Sequence, residues 1–222
     1  MRNYLQQKKN NHFVVRNVEV LVKDSPGNGI NVRSVVEKSL SLIPSHLLKN
    51  LKAIHVGKFQ ELEDREIQGI FKDSVIFVTN EQDSETDMID DVVHEIAHSV
   101  EEYYTKTLYA DKSIKLEFVE KRKKLWFLLK NNGFSLDLDV CLGVEYNRSF
   151  DEYLYKTVGY PILSVMTASL FYSPYAITSL REYFANGFEA FFMKEDISRL
   201  RRTSPKLYEK ILKLLKGKKD EV

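Results

Sequence analysis

"DDVVHEIAHSV", residues 90–100, sets two histidines four positions apart with a glutamate directly after the first. Side chains four apart on a helix are neighbours. At about 100° per residue, Ile89, Val92, Val93, Ile96, Ala97 and Val100 gather in one broad apolar stripe, and His94 and His98 stand well away from it. The stretch predicts an amphipathic helix over about 86–104, capped by Thr86 or Asp87, with Asp87, Asp90 and Asp91 at the positive end of its dipole. Two readings compete for its polar side. One is a face exposed to water and shared with Asp90, Glu101 and Glu102; the other is a metal site in which both imidazoles reach one ion and Glu95 approaches the ion's open position. The H-E-x-x-H spacing favours metal, because each residue type then has a chemical task.

Around this helix the chain organises into two halves. Upstream, "HFVVRNVEVLVK" (12–23) is β-branched and partly alternating, so it reads as a strand that "DSPGNG" (24–29) breaks. Val32, Val35, Val36, Leu40 and Ile43 keep a helical period. "LKAIHVGKF" (51–59) and "DSVIFVTN" (73–80) read as two more strands with acidic, helix-favouring residues between them. Downstream the patterns are helical, over about 112–131 (ending at "NNGF"), 148–157, 178–194 and 204–216. Strands followed by helices predict an α+β fold. No linker or repeat divides the chain, so one domain is expected, with a sheet half over about 1–104 and a helical half over about 105–222.

Composition narrows the partners. The 222 residues, 43% hydrophobic, can bury a sizeable core, and 33 basic against 32 acidic residues leave a formal charge of +1. That balance points to no nucleic acid and no membrane surface. The run "KRKK" (121–124), flanked by Glu117 and Glu120, reads as a solvated helix face, and the lysine-rich tail from Lys213 to Lys219 as a frayed, charged terminus. The start, "MRNYLQQKKNNHFVV", has no apolar run long enough for a signal-peptide core, and no stretch approaches the roughly 20 apolar residues of a membrane helix. A cytoplasmic location is the expectation, with export by an unconventional route as the alternative. The lone Cys141 rules out an intramolecular disulfide and a Cys-based zinc site, so any metal must use His, Asp or Glu.

Neutral imidazoles with a carboxylate suit zinc, which keeps a position for water and brings that water's pKa toward roughly 7. Glu95 could then take its proton, a chemistry that fits peptide-bond hydrolysis. A third ligand is needed. The extended pattern H-E-x-x-H-x-x-G-x-x-H fails, because Glu101 replaces its glycine and Tyr104 its last histidine. The most suggestive source is "SPYAITSLREYFANGFEAFF" (173–192). On a helix there, Leu180, Phe184, Phe188, Phe191 and Phe192 form a buried stripe and leave Glu182, Asn186 and Glu189 opposite. Periodicity does not choose between the two glutamates.

"VHEIAHSVEEYY" together with "YAITSLREYFANGF" resembles the zinc peptidase domain of anthrax lethal factor and the related bacterial Pro-Pro endopeptidases. The resemblance covers roughly residues 50–215, with its specific motifs within 92–104 and 175–188. In that family a zinc-binding glutamate opens an E-[FY]-F-A segment and a tyrosine seven residues earlier faces the metal. Here Glu182 opens "EYFA" and Tyr175 stands seven before it. The resemblance implies a single zincin-like domain with a small twisted sheet, one zinc per chain held by His94, His98 and Glu182, Glu95 as general base and Tyr175 steadying the oxyanion. It also implies that an edge strand, best matched by "DSVIFVTN", aligns an extended peptide by strand addition. Glu189 is left to orient a zinc-bound histidine or to do nothing chemical. Asn186 departs from the family, since lethal factor has a glutamate four residues after its metal-binding glutamate.

The expected function is a zinc-dependent endopeptidase acting on a peptide or protein substrate. Its rivals are an intracellular regulator peptidase that cuts one protein partner and a non-catalytic peptide-binding relic of the fold. Glu152, in "FDEYLYKTVGY", is an alternative ligand; His12, His46 and His55 read as ordinary surface or strand residues.

Overall fold

The computed structural model describes residues 11–27 and 29–217. Residues 1–10, on which the reading of the N-terminal start rests, and Lys218 and Lys219 of the tail lie outside the described residues. The chain divides after Tyr103 into two compact units. Strands gather in the first and helices fill the second, an α+β arrangement. Among the described residues no helix is long and apolar enough to cross a membrane.

The first unit is a five-stranded mixed sheet of β1 (His12–Val15), β2 (Val18–Val22), β3 (Ala53–Gly57), β4 (Gly69–Lys72) and β5 (Val75–Thr79), in the order β1-β2-β3-β5-β4. Residues 12–23 were expected as one strand and form a hairpin instead. Arg16 and Asn17 take φ of 49° and 68°, making a two-residue turn whose twist matches the flanking strands. The Arg16 guanidinium then reaches the carbonyls of Leu40 and Ile43, the latter at 2.8 Å, where helix α1 (Val32–Leu42) ends. β2, β3 and β5 run parallel, and β1 and β4 pair antiparallel with β2 and β5.

"DSVIFVTN" does not supply the edge. β5 is bonded to β3 on one side and β4 on the other, so its backbone groups are already used within the sheet. The edges are β1 and, beside β5, β4, "GIFK", folded back on β5 through Asp73 and Ser74, both at positive φ. Before it comes the short helix α2 (Gln60–Arg65).

Helix α3 (Glu85–Tyr103) packs across β4 and β5 and against α1. It starts earlier than the sequence suggested because Ser84 caps it, its hydroxyl accepting from the Asp87 N–H at 3.2 Å. Val92, Val93, Ile96, Ala97 and Val100 of the stripe are fully buried and Ile89 is 9% exposed; Met88, which the stripe did not include, is fully buried as well.

The second unit holds α4 (Thr105–Tyr109), α5 (Ser113–Asn131), α6 (Leu138–Leu142), α7 (Arg148–Glu152), α8 (Tyr160–Thr167), α9 (Leu180–Phe192), α10 (Ile197–Thr203) and α11 (Pro205–Leu215). The expected helix over 148–157 changes winding midway, since α7 continues as a π-turn over Tyr153–Val158. The basic run is not a solvated face. Lys123 and Lys124 are exposed, but Lys121 and Arg122 are buried in the core of the unit. Lys121 donates to the carbonyls of Leu170 and Thr203. Arg122 donates to those of Cys141 (2.6 Å), Val140 (3.3 Å) and Ile177, with its guanidinium 4.0 Å from the Phe150 ring centre. Carbonyl acceptors inside the unit make both buried cations tolerable. Glu117 is not a solvating neighbour either: its carboxylate caps α11, accepting from the N–H groups of Lys206 (2.8 Å) and Leu207 (3.2 Å), and takes the Tyr183 hydroxyl at 2.9 Å. In the tail, Lys213 is exposed on the last turn of α11 rather than frayed.

Candidate metal centre

α3 presents His94, Glu95 and His98 so that one donor atom of each lies within 4.8 Å of the others. The two imidazole rings are 5.0 Å apart, nearly perpendicular at 82°. Among the described residues this is the sole such group of three or more His, Cys, Asp or Glu side chains. His12, His46, His55 and Cys141 belong to none. His55 lies edge-on to Phe77 in the sheet, with its pKa lowered by burial.

A polar face turned to water does not describe this site. His98 is 5% and Glu95 6% exposed, with His94 half-buried. Two neutral imidazoles and a carboxylate make a donor set suited to a borderline divalent cation, and these residues can bind a metal ion. His98 also has a carboxylate behind it, with Nδ1 3.6 Å from Oε2 of Glu101 on the next turn. Sequence reasoning had placed Glu101 on a watery side; its side chain is 14% exposed.

Asp87 and Asp91 continue the histidine face toward the start of α3, at the spacing i, i+4, i+7, i+11. They line a cavity of about 520 Å³ in the same unit, with Glu63 and Glu66 opposite and Phe59 and Leu62 on its walls. Gln82 fixes Asp91, donating to Oδ2 at 2.8 Å. Acidic side chains thus gather where the histidine face of α3 continues toward its start.

Gly69 was missed. It opens β4, and a Cβ built on it would lie 2.9 Å from Cγ of Glu95 and 3.1 Å from its Oε1. No local pattern marked it, since Gly69 is the first residue of a four-residue strand.

Tyr175 and Glu182 belong to the second unit. Tyr175, 37% exposed, opens a 3₁₀ turn (Tyr175–Ile177), and Glu182 lies half-buried in the first turn of α9. Ser179 caps this helix, its hydroxyl accepting from the Glu182 N–H at 3.1 Å. The turn is fixed by Ser173, which the sequence did not single out, and by Asn186. The Ser173 hydroxyl accepts from the Ala176 N–H at 3.2 Å and donates to the Asn186 side chain; Asn186 in turn donates to the Glu182 carbonyl at 3.1 Å. Arg122 holds the Ile177 carbonyl from the other side. Asn186 therefore ties the Tyr175 turn to α9.

α9 is not buried along the one expected stripe: Phe184, Phe188 and Phe192 are buried but Leu180 and Phe191 only half-buried, and Tyr183, Ala185, Asn186, Gly187 and Ala190 are buried too. Glu182 and Glu189, two turns apart on one side of it, are both half-buried. Glu152 makes ion pairs with Arg148 (3.2 Å) and Lys156 (3.7 Å) on its own helical segment, an arrangement that suits a surface carboxylate better than a ligand.

No family model, no curated protein and no solved structure matches this chain.

Proposed function

We propose that the protein is a zincin-like, zinc-dependent endopeptidase that holds one zinc per chain through His94, His98 and Glu182. The observation that carries this is the approach of His94, Glu95 and His98 within 4.8 Å on a helix packed across the edge of a mixed sheet. Zinc, when bound, supplies a polarised carbonyl and a water whose pKa falls toward roughly 7. Glu95 takes the proton of the attacking water and returns it to the leaving amine. Tyr175 donates its hydroxyl to the oxygen on which negative charge develops. An extended substrate adds to the sheet along β4, which among the described residues has a single strand partner.

The test is elemental analysis of the purified protein followed by profiling of a peptide library with and without chelator. About one zinc per chain and chelator-sensitive cleavage are expected. Glu95→Gln should keep the zinc and lose turnover by a factor on the order of 10²–10⁴. A metal-loaded protein that cleaves no peptide, or a Glu95→Gln variant as active as the wild type, would sink the proposal.

A further inference from the structure

We infer that Gly69 is a positioning residue for Glu95: the missing side chain at the head of β4 is what allows the glutamate to lie where it does. The catalytic part of this inference rests on the endopeptidase reading above. The geometric part stands on its own.

Gly69 pairs with Val78 of β5, and its φ is not among the positive ones, so its backbone would accept any L residue. The requirement for glycine comes from its neighbour. A methyl group there would sit 2.9 Å from Cγ, 3.1 Å from Oε1 and 3.3 Å from Cδ of Glu95, all inside ordinary contact distance. Three things could yield: the strand, the helix or the glutamate side chain. β4 is held to β5 by its ladder from Gly69 to Lys72. α3 is held by Met88, Val92, Val93, Ile96, Ala97 and Val100, each at 0% exposure. The side-chain torsions of Glu95 are the softest of the three, so the carboxylate moves. For a general base, a shift of about 1 Å costs on the order of 10²-fold in rate.

Two sets of measurements test this. In metal-free protein, Gly69→Ala should lower the Tm by roughly 4 °C or more, as overpacking does. The same change in a Glu95→Ala background should leave the Tm level or raise it, because the overlap is gone and alanine restricts the unfolded chain. Equal shifts in both backgrounds would overturn the contact itself. In zinc-loaded protein, Gly69→Ala should keep its metal and KM while kcat falls about 10²-fold, and it should add nothing to the residual rate of Glu95→Gln. Thermal coupling with unchanged kcat in an active enzyme would overturn the positioning role and leave the endopeptidase reading intact. A wild type that binds zinc and cleaves nothing would overturn the endopeptidase reading and with it the catalytic part of this inference, while the thermal coupling would still decide the contact.

Discussion

Nδ1 of His98 faces Oε2 of Glu101 across 3.6 Å, one helical turn along α3, with the two side chains 6% and 14% exposed. A carboxylate on that side favours the tautomer with its proton on Nδ1 and leaves Nε2 available as a metal donor. Glu101→Ala is therefore expected to weaken zinc binding about 10-fold to 100-fold without unfolding the protein. His98→Ala should abolish tight binding altogether. Chelator competition measures both, and equal affinities in wild type and Glu101→Ala would remove Glu101 from the site.

Glu182 and Glu189 separate in the same assay. Both are half-buried on α9, and only Glu182 sits in the first turn, seven residues after Tyr175. Glu182→Ala should weaken zinc binding severely, while Glu189→Ala should keep the metal and cost at most about 10-fold to 100-fold. The opposite result would put the assigned register two turns off along α9, and the role of Tyr175 would fall with it.

Helix α3 was legible because two signals coincided over 86–104, an apolar stripe at helical period and the H-E-x-x-H spacing. The edge strand was not. β4 is four residues long, too short for alternation to show, and its turn at Asp73–Ser74 lacks the glycine that usually announces a hairpin. Arg16–Asn17 hid the first hairpin in the same way. The basic run misled for a different reason. Lysine and arginine are almost never fully buried unless their donors are satisfied, and the acceptors for Lys121 and Arg122 are carbonyls 18 to 82 residues away along the chain. Such satisfaction is tertiary and leaves no local pattern. The histidine pair is the reverse case, since both members and their spacing lie within one helix.

Asn186 gives a prediction about the Tyr175 turn. Its side chain accepts from Ser173 and donates to the Glu182 carbonyl, and it is 9% exposed. Asn186→Leu keeps the volume and removes both bonds, leaving the Ser173 hydroxyl without its acceptor. A loss of about 1–3 kcal/mol in unfolding free energy is expected. Because Ser173 also accepts from Ala176, the turn should loosen and kcat should fall more than KM rises. Urea denaturation and steady-state kinetics check the two parts separately; unchanged stability would mean that the bridge contributes nothing.

Lys121 makes stability depend on alkaline pH. Burial pushes its ammonium down to about 8 from 10.5, with Glu117 opposing the shift and Lys124 adding to it. Between those two values the unfolded chain holds a proton that the folded protein has released, so stability contributed by this group rises with pH across that window. Below about pH 8 both states are protonated and the cost of the buried charge is constant. The neutral amine keeps two N–H donors for the carbonyls of Leu170 and Thr203, so the packing survives deprotonation. The full gain is on the order of 3 kcal/mol. Other groups titrate in this range, so the measurement is a difference: unfolding free energy of wild type minus that of Lys121→Met, followed by urea denaturation from pH 7 to 10.5. The difference should grow in favour of the wild type as pH rises. A flat difference would mean that the two carbonyls hold Lys121 charged in the fold, and a falling one that the ammonium is stabilised there beyond its ordinary value.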